Sequence, residues 1–223
     1  MGLPQTAVII PAHISSEKRL HYFHQTLESL TRQSIDVLGI IVDDNSPLSN
    51  DVERIVDIHN KKGNLRYVHR LKKPGESATS SNAINFGIDL LLHKPIEVVT
   101  AKEHLSLSSI AYLHSDDMLP EHAIQTRLQH LGNHGFVYST LFVIDEHNTP
   151  KKSFDFKQPI NEDAHGFPHH TILWSKDFLK EVVHYVQDSY ALQGLFDPKI
   201  NCEEDRDATL STLLCAAAQG VSS

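Results

Sequence analysis

The sequence predicts an α/β fold: one domain built on a mostly parallel central sheet with helices packed on it. Three observations carry this reading. Short apolar runs such as "TAVIIPA" (6–12) and "VLGIIVDD" (37–44) have the length and continuous hydrophobicity of strands buried on both faces. Segments between such runs place apolar residues at helical spacing. The two kinds alternate along the chain, as they do when helices cross between parallel strands.

In order, "TAVIIPA" is a strand that stops at a proline. The following "EKRLHYFHQTLESLTRQ" sets Leu20, Phe23, Leu27 and Leu30 on one helical stripe. "VLGIIVDD" is a second strand closed by the turn "NSPLSN"; "DVERIVDIHNKK" reads as a short helix and "NLRYVHR" as a third strand. "GESATSSNAINFGIDLLLH" opens on turn and cap residues and continues as a helix with Ala83, Ile84, Gly87, Ile88 and Leu91 available for packing. "KPIEVVTAKEHLSLS" reads as an excursion, and "SIAYLH" (109–114) as the fourth sheet strand. "LPEHAIQTRLQHLGNHG" is expected to be a helix ending in glycine, "FVYSTLFVID" one strand, and "EHNTPKKSFDF" a hairpin or loop. "TILWSKDFLKEVVHYV" reads as strand into helix, and "CEEDRDATLSTLLCAAAQG" as a helix with an acidic first turn. Together these give a single Rossmann-like domain.

Composition bounds the function classes. The 223 residues suffice for one large domain with a sizeable core. The net charge of −8, with Lys and Arg scattered, leaves no basic face, so nucleic acid is excluded as an expected partner. Cys202 and Cys215 form no metal or redox spacing and fit a reducing compartment. No run approaches 18 apolar residues and the N-terminus has no secretion pattern; the expectation is a cytoplasmic protein without a transmembrane segment.

Three acidic groups stand at strand ends or helix starts: Asp43 with Asp44, Asp116 with Asp117, and Glu203 with Glu204 and Asp205. Loops at the carboxyl ends of strands are where ligands bind in open α/β sheets, so the first two groups can converge on one cleft. Gathered carboxylates repel one another and any phosphate, and such a site holds a cation or shares a proton. Mg²⁺ or Mn²⁺ resolves the conflict for an anionic substrate, because either takes one or two carboxylates plus substrate phosphates. Each group also has a plain alternative. "DDNSP" makes an ordinary Asx turn, "SDDMLPE" a helix entry capped by Asp117, and "EEDRD" a helix start that favours acids.

Read in order, these segments resemble the family 2 glycosyltransferases, nucleotide-sugar-dependent enzymes with the GT-A fold, over about residues 6 to 210. "AVIIPAH" is similar to the family's opening strand, and the resemblance puts Pro11, Ala12 and His13 at the nucleotide. "IIVDDNS" looks like the strand ending in two aspartates, which carries the nucleobase contact onto Asp44 with Asp43 nearby. "SNAINFGI" is similar to the Ala-Arg-Asn-x-Gly-Ile segment, matching Ala83, Asn85, Gly87 and Ile88; Ile84 stands where many members have a basic residue. "YLHSDDMLP" looks like the Asp-x-Asp-Asp metal segment, with His114 in place of the first aspartate. That implies a metal set of Asp116, Asp117 and His114, Asp116 being the principal ligand, and Ser115 at the nucleotide. "GLFDPKINCEEDRD" is similar to the Gly-x-Phe-Asp segment followed by Glu-Asp-x-Asp, which puts the general base on Asp205 with Glu204 beside it. Ser211 stands near the place of an arginine that many members carry.

The resemblance implies an inverting transfer of a hexose from a nucleoside-diphosphate sugar, a UDP-sugar first, to an acceptor hydroxyl on a glycan or glycoconjugate. Asp205 would take the hydroxyl proton, and the metal would neutralise charge on the leaving diphosphate. Mn²⁺ is expected ahead of Mg²⁺ because an imidazole suits it better. His114 has three open roles: metal ligand, hydrogen-bond donor to the donor's ribose or phosphate, or structural residue at the strand end. "HGFPHH" (165–170) is either an acceptor-side loop or ordinary surface, and Trp174 a sugar platform or core. One domain over 1–223 is expected, with a nucleotide part of about 1–117 and an acceptor part of about 118–223, complete or cut from a longer chain.

Rival readings are weaker. A dinucleotide-dependent oxidoreductase needs glycines that "PAHISSE" lacks. A nucleotidyltransferase needs a glycine-rich basic start. A non-catalytic nucleotide-sugar-binding module draws on His114, Ile84 and Ser211.

Overall fold

The computed structural model describes residues 5–72, 76, 79–93, 106–139, 141–145, 149–154 and 172–190. Strands β1 (Thr6–Ala12), β2 (Val37–Asp43), β3 (Leu65–His69) and β4 (Ser109–Tyr112) alternate with helices α1 (Glu17–Thr31), α2 (Ser49–His59) and α3 (Ser80–His93). After β4 come α4 (Ala123–Leu131), β5 (Phe136–Val137), the pair β6 (Leu141–Ile144) and β7 (Pro150–Phe154), β8 (Leu173–Ser175) and α5 (Lys176–Tyr190).

The main sheet has the order β3-β2-β1-β4-β8-β5. β1 pairs in parallel with β2 and β4, and β2 with β3, while β8 runs antiparallel to both its neighbours. The mostly parallel sheet flanked by helices is therefore as expected. Two details differ. The stretch 136–145 is not one strand: Phe136–Val137 joins β8, and Leu141–Ile144 pairs with Pro150–Phe154 in a separate sheet. β4 also ends at Tyr112, two residues before the expected His114.

The pleat of β1 divides the core. Ala7 and Ile9 pack with α3 residues Ala83, Ile84, Ile88 and Leu91 and with Leu179 and Val182 of α5. Val8, Ile10 and Ala12 pack on the other face with Leu20, Phe23 and Leu27 of α1, Val52 and Ile55 of α2 and Ile124 of α4. Every residue of β1 and β2 is buried, which is why both read as continuous apolar runs. Gly87 lets α3 lie close on β1: a Cβ there would meet Ile9 Cγ2 at 2.7 Å. Trp174 is 1% exposed and stacks on Tyr112 with centroids 5.9 Å apart, so it is core and no sugar platform.

β2 and β3 follow β1 on one side, and the chain then crosses to place β4 on the other. The switch point thus lies between the carboxyl ends of β1 and β4, the position where α/β sheets open a crevice.

Candidate donor-binding cleft

A cleft of about 350 Å³ lies at that switch point. β1 and the loop after it contribute Pro11, Ala12 and His13; α1 contributes Arg19; the end of β2 contributes Asp44. The start of α3 brings Thr79, Ser80 and Ala83, and the loop after β4 brings His114, Ser115 and Asp116. Seven of the expected site residues (Pro11, Ala12, His13, Asp44, His114, Ser115 and Asp116) therefore line one cavity.

The loops after β1 and β2 are sewn together. Asp44 N–H donates to Ala12 O at 2.8 Å, Leu48 N–H to Ile14 O at 3.2 Å, and Ile14 N–H to Ser46 Oγ at 2.8 Å. His13 Nδ1 lies 3.1 Å from Asp44 O. Asn45 takes φ 57°, the left-handed conformation asparagine tolerates, and its Nδ2 donates to Arg70 O at 3.0 Å. Helix α1 starts beside them on its cap Ser16, whose side chain accepts from Arg19 N at 3.4 Å.

The two aspartates after β2 do different things. Asp44 borders the cleft with a side chain 1% exposed; its Oδ1 accepts from Arg70 Nε at 2.9 Å and its Oδ2 from Thr79 N–H at 2.9 Å. Arg70 also reaches Glu76 Oε1 through Nη1 at 2.9 Å. Asp43 points away from the cleft. Its Oδ1 accepts from Ser46 N–H at 2.8 Å and its Oδ2 from the Tyr67 hydroxyl at 2.6 Å, which makes it a brace for the loop. Burial, and then this carboxylate, push the Tyr67 hydroxyl's proton affinity well up.

On the other wall, Asp117 N–H closes a turn on His114 O at 3.1 Å. His114 and the exposed Asp116 reach the cleft and Asp117 does not. The His114 ring also sits edge-on to Tyr112 at 5.6 Å. The expected set His114, Asp116 and Asp117 does not gather as a ligand cluster: among the described residues no group of three or more His, Cys, Asp or Glu side chains could hold a metal ion. The turn separates them. The remaining fit is for a hard divalent ion that takes Asp116 as one oxygen ligand and draws others from a bound diphosphate.

This loop is anchored from behind. The buried Gln33, past the end of α1, donates through Nε2 to Pro120 O at 2.8 Å and accepts Ile124 N–H at 3.1 Å. Ser29 Oγ accepts Leu119 N–H at 3.1 Å.

Asn85 is half-buried and is not part of the cleft wall. Ile84, at the place of the family's basic residue, is 0% exposed and packs in the core. Sequence reasoning missed Arg19, Thr79 and Ser80. Arg19 stands in the first turn of the helix that follows β1, a position that faces the strand's carboxyl end, and its Nη1 donates to His13 O at 3.5 Å. Asp205, Glu204 and the "HGFPHH" segment lie outside the described residues. Among the described residues no helix is long and apolar enough to cross a membrane.

The likeness to solved structures agrees with this fold. The S. aureus TarS crystal structure superposes with a TM-score of 0.62 at 17% identity, covering 95% of this chain and 34% of that one. The TarS 1-349 complex with UDP-GlcNAc gives a TM-score of 0.60 at 17% identity, covering 95% of this chain and 54% of that one. Mannosyltransferase PcManGT from Pyrobaculum calidifontis, in complex with GDP-Man and Mn2+, gives 0.55 at 14% identity, over 94% of this chain and 52% of that one. The chain thus spans about a third to a half of these neighbours' lengths, and the shared feature is the GT-A fold. No curated protein matches it in sequence. The family model described as "Glycosyl transferase family 2" matches residues 7–185, which takes in both walls of the cleft, and the chain belongs to that family.

Proposed function

We propose that this chain is the catalytic domain of a metal-assisted, inverting glycosyltransferase. It moves a hexose from a nucleoside-diphosphate sugar, a UDP-sugar first, to an acceptor hydroxyl on a glycan or glycoconjugate. The observation that carries this is the meeting of Pro11, Ala12, His13 and Asp44 with Asp116 across one crevice at the sheet's switch point. Neighbours of the same fold in complex with UDP-GlcNAc, or with GDP-Man and Mn2+, support the donor class and the metal.

The nucleobase end of the donor belongs against Pro11, Ala12 and His13, with Asp44 behind. The diphosphate belongs at Ser115 and Asp116; Arg19, whose Nη1 donates to His13 O on the facing wall, adds positive charge to the cleft in a chain of net charge −8. A Mn²⁺ or Mg²⁺ ion would be held by Asp116 and the donor's phosphates, with His114 beside it, and would supply charge neutralisation for the leaving diphosphate. The acceptor oxygen attacks the anomeric carbon from the face opposite that leaving group, and Asp205, with Glu204 adjacent, takes its proton. These two roles rest on the resemblance of "CEEDRD" to the family's motif. A base of this kind contributes about 10²–10⁴ in rate. The nucleotide part then corresponds to about residues 1–117 and the acceptor part to about 118–223.

A binding module without turnover is the second reading, favoured by Ile84 being withdrawn into the core. The test is release of UDP from UDP-hexoses in the presence of Mn²⁺ and a hydroxyl acceptor. Turnover abolished by Asp116→Asn and by Asp205→Asn supports the transferase, and metal-dependent binding without turnover in the wild type supports the module.

A further inference from the structure

We infer that Arg127 anchors an anionic group of the acceptor, a phosphate or a carboxylate, and that the protein glycosylates a charged acceptor in preference to a neutral one. This rests on the functional reading above and names the acceptor class it takes.

Two arginines are buried among the described residues, Arg70 at 7% exposure and Arg127 at 6%. Their surroundings are opposite. Arg70 pairs with Asp44 at 2.7 Å and with Glu76 at 2.9 Å. Arg127, on α4, meets a neutral hydroxyl instead: its Nε and Nη2 donate to Ser139 Oγ at 3.2 and 2.9 Å. No carboxylate among the described residues pairs with it, and burial alone brings its pKa down to about 10, which leaves it a cation at neutral pH. A cation withdrawn from water without a counter-ion is unfavourable, and buried charges are otherwise paired.

The guanidinium is not sealed in. Nε and Nη2 share one serine oxygen along a single edge, and Nη1 makes no hydrogen bond among the described residues. The buried polar atoms that lack a partner include no atom of Arg127, so Nη1 keeps contact with water. The open edge, Nη1 with the second hydrogen of Nη2, is the pair of donors that a carboxylate or phosphate takes in parallel.

The place of Arg127 in the fold points to the acceptor. β8 runs antiparallel to both β4 and β5, so β5 points the same way as β4, and its carboxyl end opens on the side of the sheet where the cleft lies. Their shared partner Leu173 sets Val137 level with Ala111, two strand spacings or about 10 Å apart. Ser139 follows Val137 by two residues, as Leu113 follows Ala111, and His114 of the cleft wall comes next. In the reading above the donor runs from the β1 and β2 loops to Asp116 after β4. Continuing in that direction past β8 leads to Ser139 and Arg127, beyond the diphosphate, on the flank left for the acceptor.

The experiment measures UDP release from UDP-hexoses in Mn²⁺ with three matched acceptors: a neutral methyl hexoside, its monophosphate and the corresponding methyl uronide. The expected result on the wild type is a kcat/KM for at least one charged acceptor about tenfold or more above the neutral one, and the phosphate and uronide arms tell which anion is read. In Arg127→Met this ratio should fall toward one. A neutral acceptor used as well as both charged ones by the wild type, or a preference that survives in Arg127→Met, overturns this inference and leaves the transferase reading standing. A second measurement needs no turnover: at constant ionic strength, inorganic phosphate should raise the thermal midpoint of the wild type more than that of Arg127→Met, and equal shifts overturn the inference. Failure to bind any nucleoside diphosphate or to release UDP overturns the functional reading, and with it the acceptor role of Arg127, while the phosphate comparison still decides whether Arg127 holds an anion.

Discussion

Arg70 and Asp44 form an ion pair almost wholly withdrawn from water: Nη2 lies 2.7 Å from Oδ1, with side chains 8% and 1% exposed. Removing one partner of such a pair strands the other's charge in a low-dielectric site. Arg70→Met is expected to destabilise the fold by about 3 kcal/mol or more in chemical denaturation. Lys62→Met, which breaks a more exposed pair with Asp36 at 3.6 Å, should cost less than about 1 kcal/mol. Equal effects from the two would remove the structural role given to Arg70.

Gln33 holds the loop that carries Asp116 without touching the cleft. Its amide bonds to both Pro120 O and Ile124 N–H, and the Gln33→Ala change leaves these groups unsatisfied at a cost of about 1–3 kcal/mol. Because Asp116 rides on the same loop, Gln33→Ala should also weaken Mn²⁺-dependent UDP binding, with metal-free binding little changed. A loss of stability with the metal dependence intact would show that the loop's position is set elsewhere.

Gly87→Ala sets helix propensity against packing. Alanine favours the helix by about 1 kcal/mol, yet its Cβ would fall 2.7 Å from Ile9 Cγ2 and 3.1 Å from Cγ1. Both atoms belong to a side chain 1% exposed in the middle of the sheet. Overpacking of this kind costs about 1–3 kcal/mol, so a net loss is expected. In an Ile9→Ala background the same change should become neutral or stabilising, which a double-mutant cycle reads directly.

His59 has its proton affinity lowered, first by burial and next by the charge of His24, whose ring meets it edge-on at 4.5 Å. The unfolded chain therefore takes up a proton at this site more readily than the folded one. Stability is fully present above the ordinary histidine value of 6.5 and falls as pH drops through 6.5 toward the lowered folded value. Urea midpoints at pH 7.5 and pH 5.5 should differ less in His59→Gln than in wild type. An unchanged pH dependence would mean that other groups set it.

The sheet was legible because parallel strands buried on both faces advertise themselves as unbroken apolar runs, as "AVII" and "LGIIV" do. The insertion of β8 between β4 and β5 was not, because a three-residue strand pairs through contacts distant in sequence. The same is true of the break after Val137, where one apolar stretch serves two sheets. In the site, the aspartate pairs were visible but their division of labour was not. Asp43 and Asp44 diverge because one braces its own turn while the other meets Arg70, a partner 26 residues away. Arg19 gave only a positional hint, since reaching the cleft depends on how α1 leaves β1. Asn85 and Ile84 were separated by helix phase, which turns Ile84 into the core and leaves Ala83 on the cleft side.

Whether Asp116 serves a metal-bound diphosphate in this cleft is decided by titration of UDP with and without Mn²⁺ against wild type and Asp116→Asn. Mn²⁺ is expected to tighten UDP binding to the wild type by about tenfold or more, a gain of about 1.4 kcal/mol, and not to do so in Asp116→Asn. UDP affinity indifferent to Mn²⁺, or a Mn²⁺ effect that survives in Asp116→Asn, would contradict it.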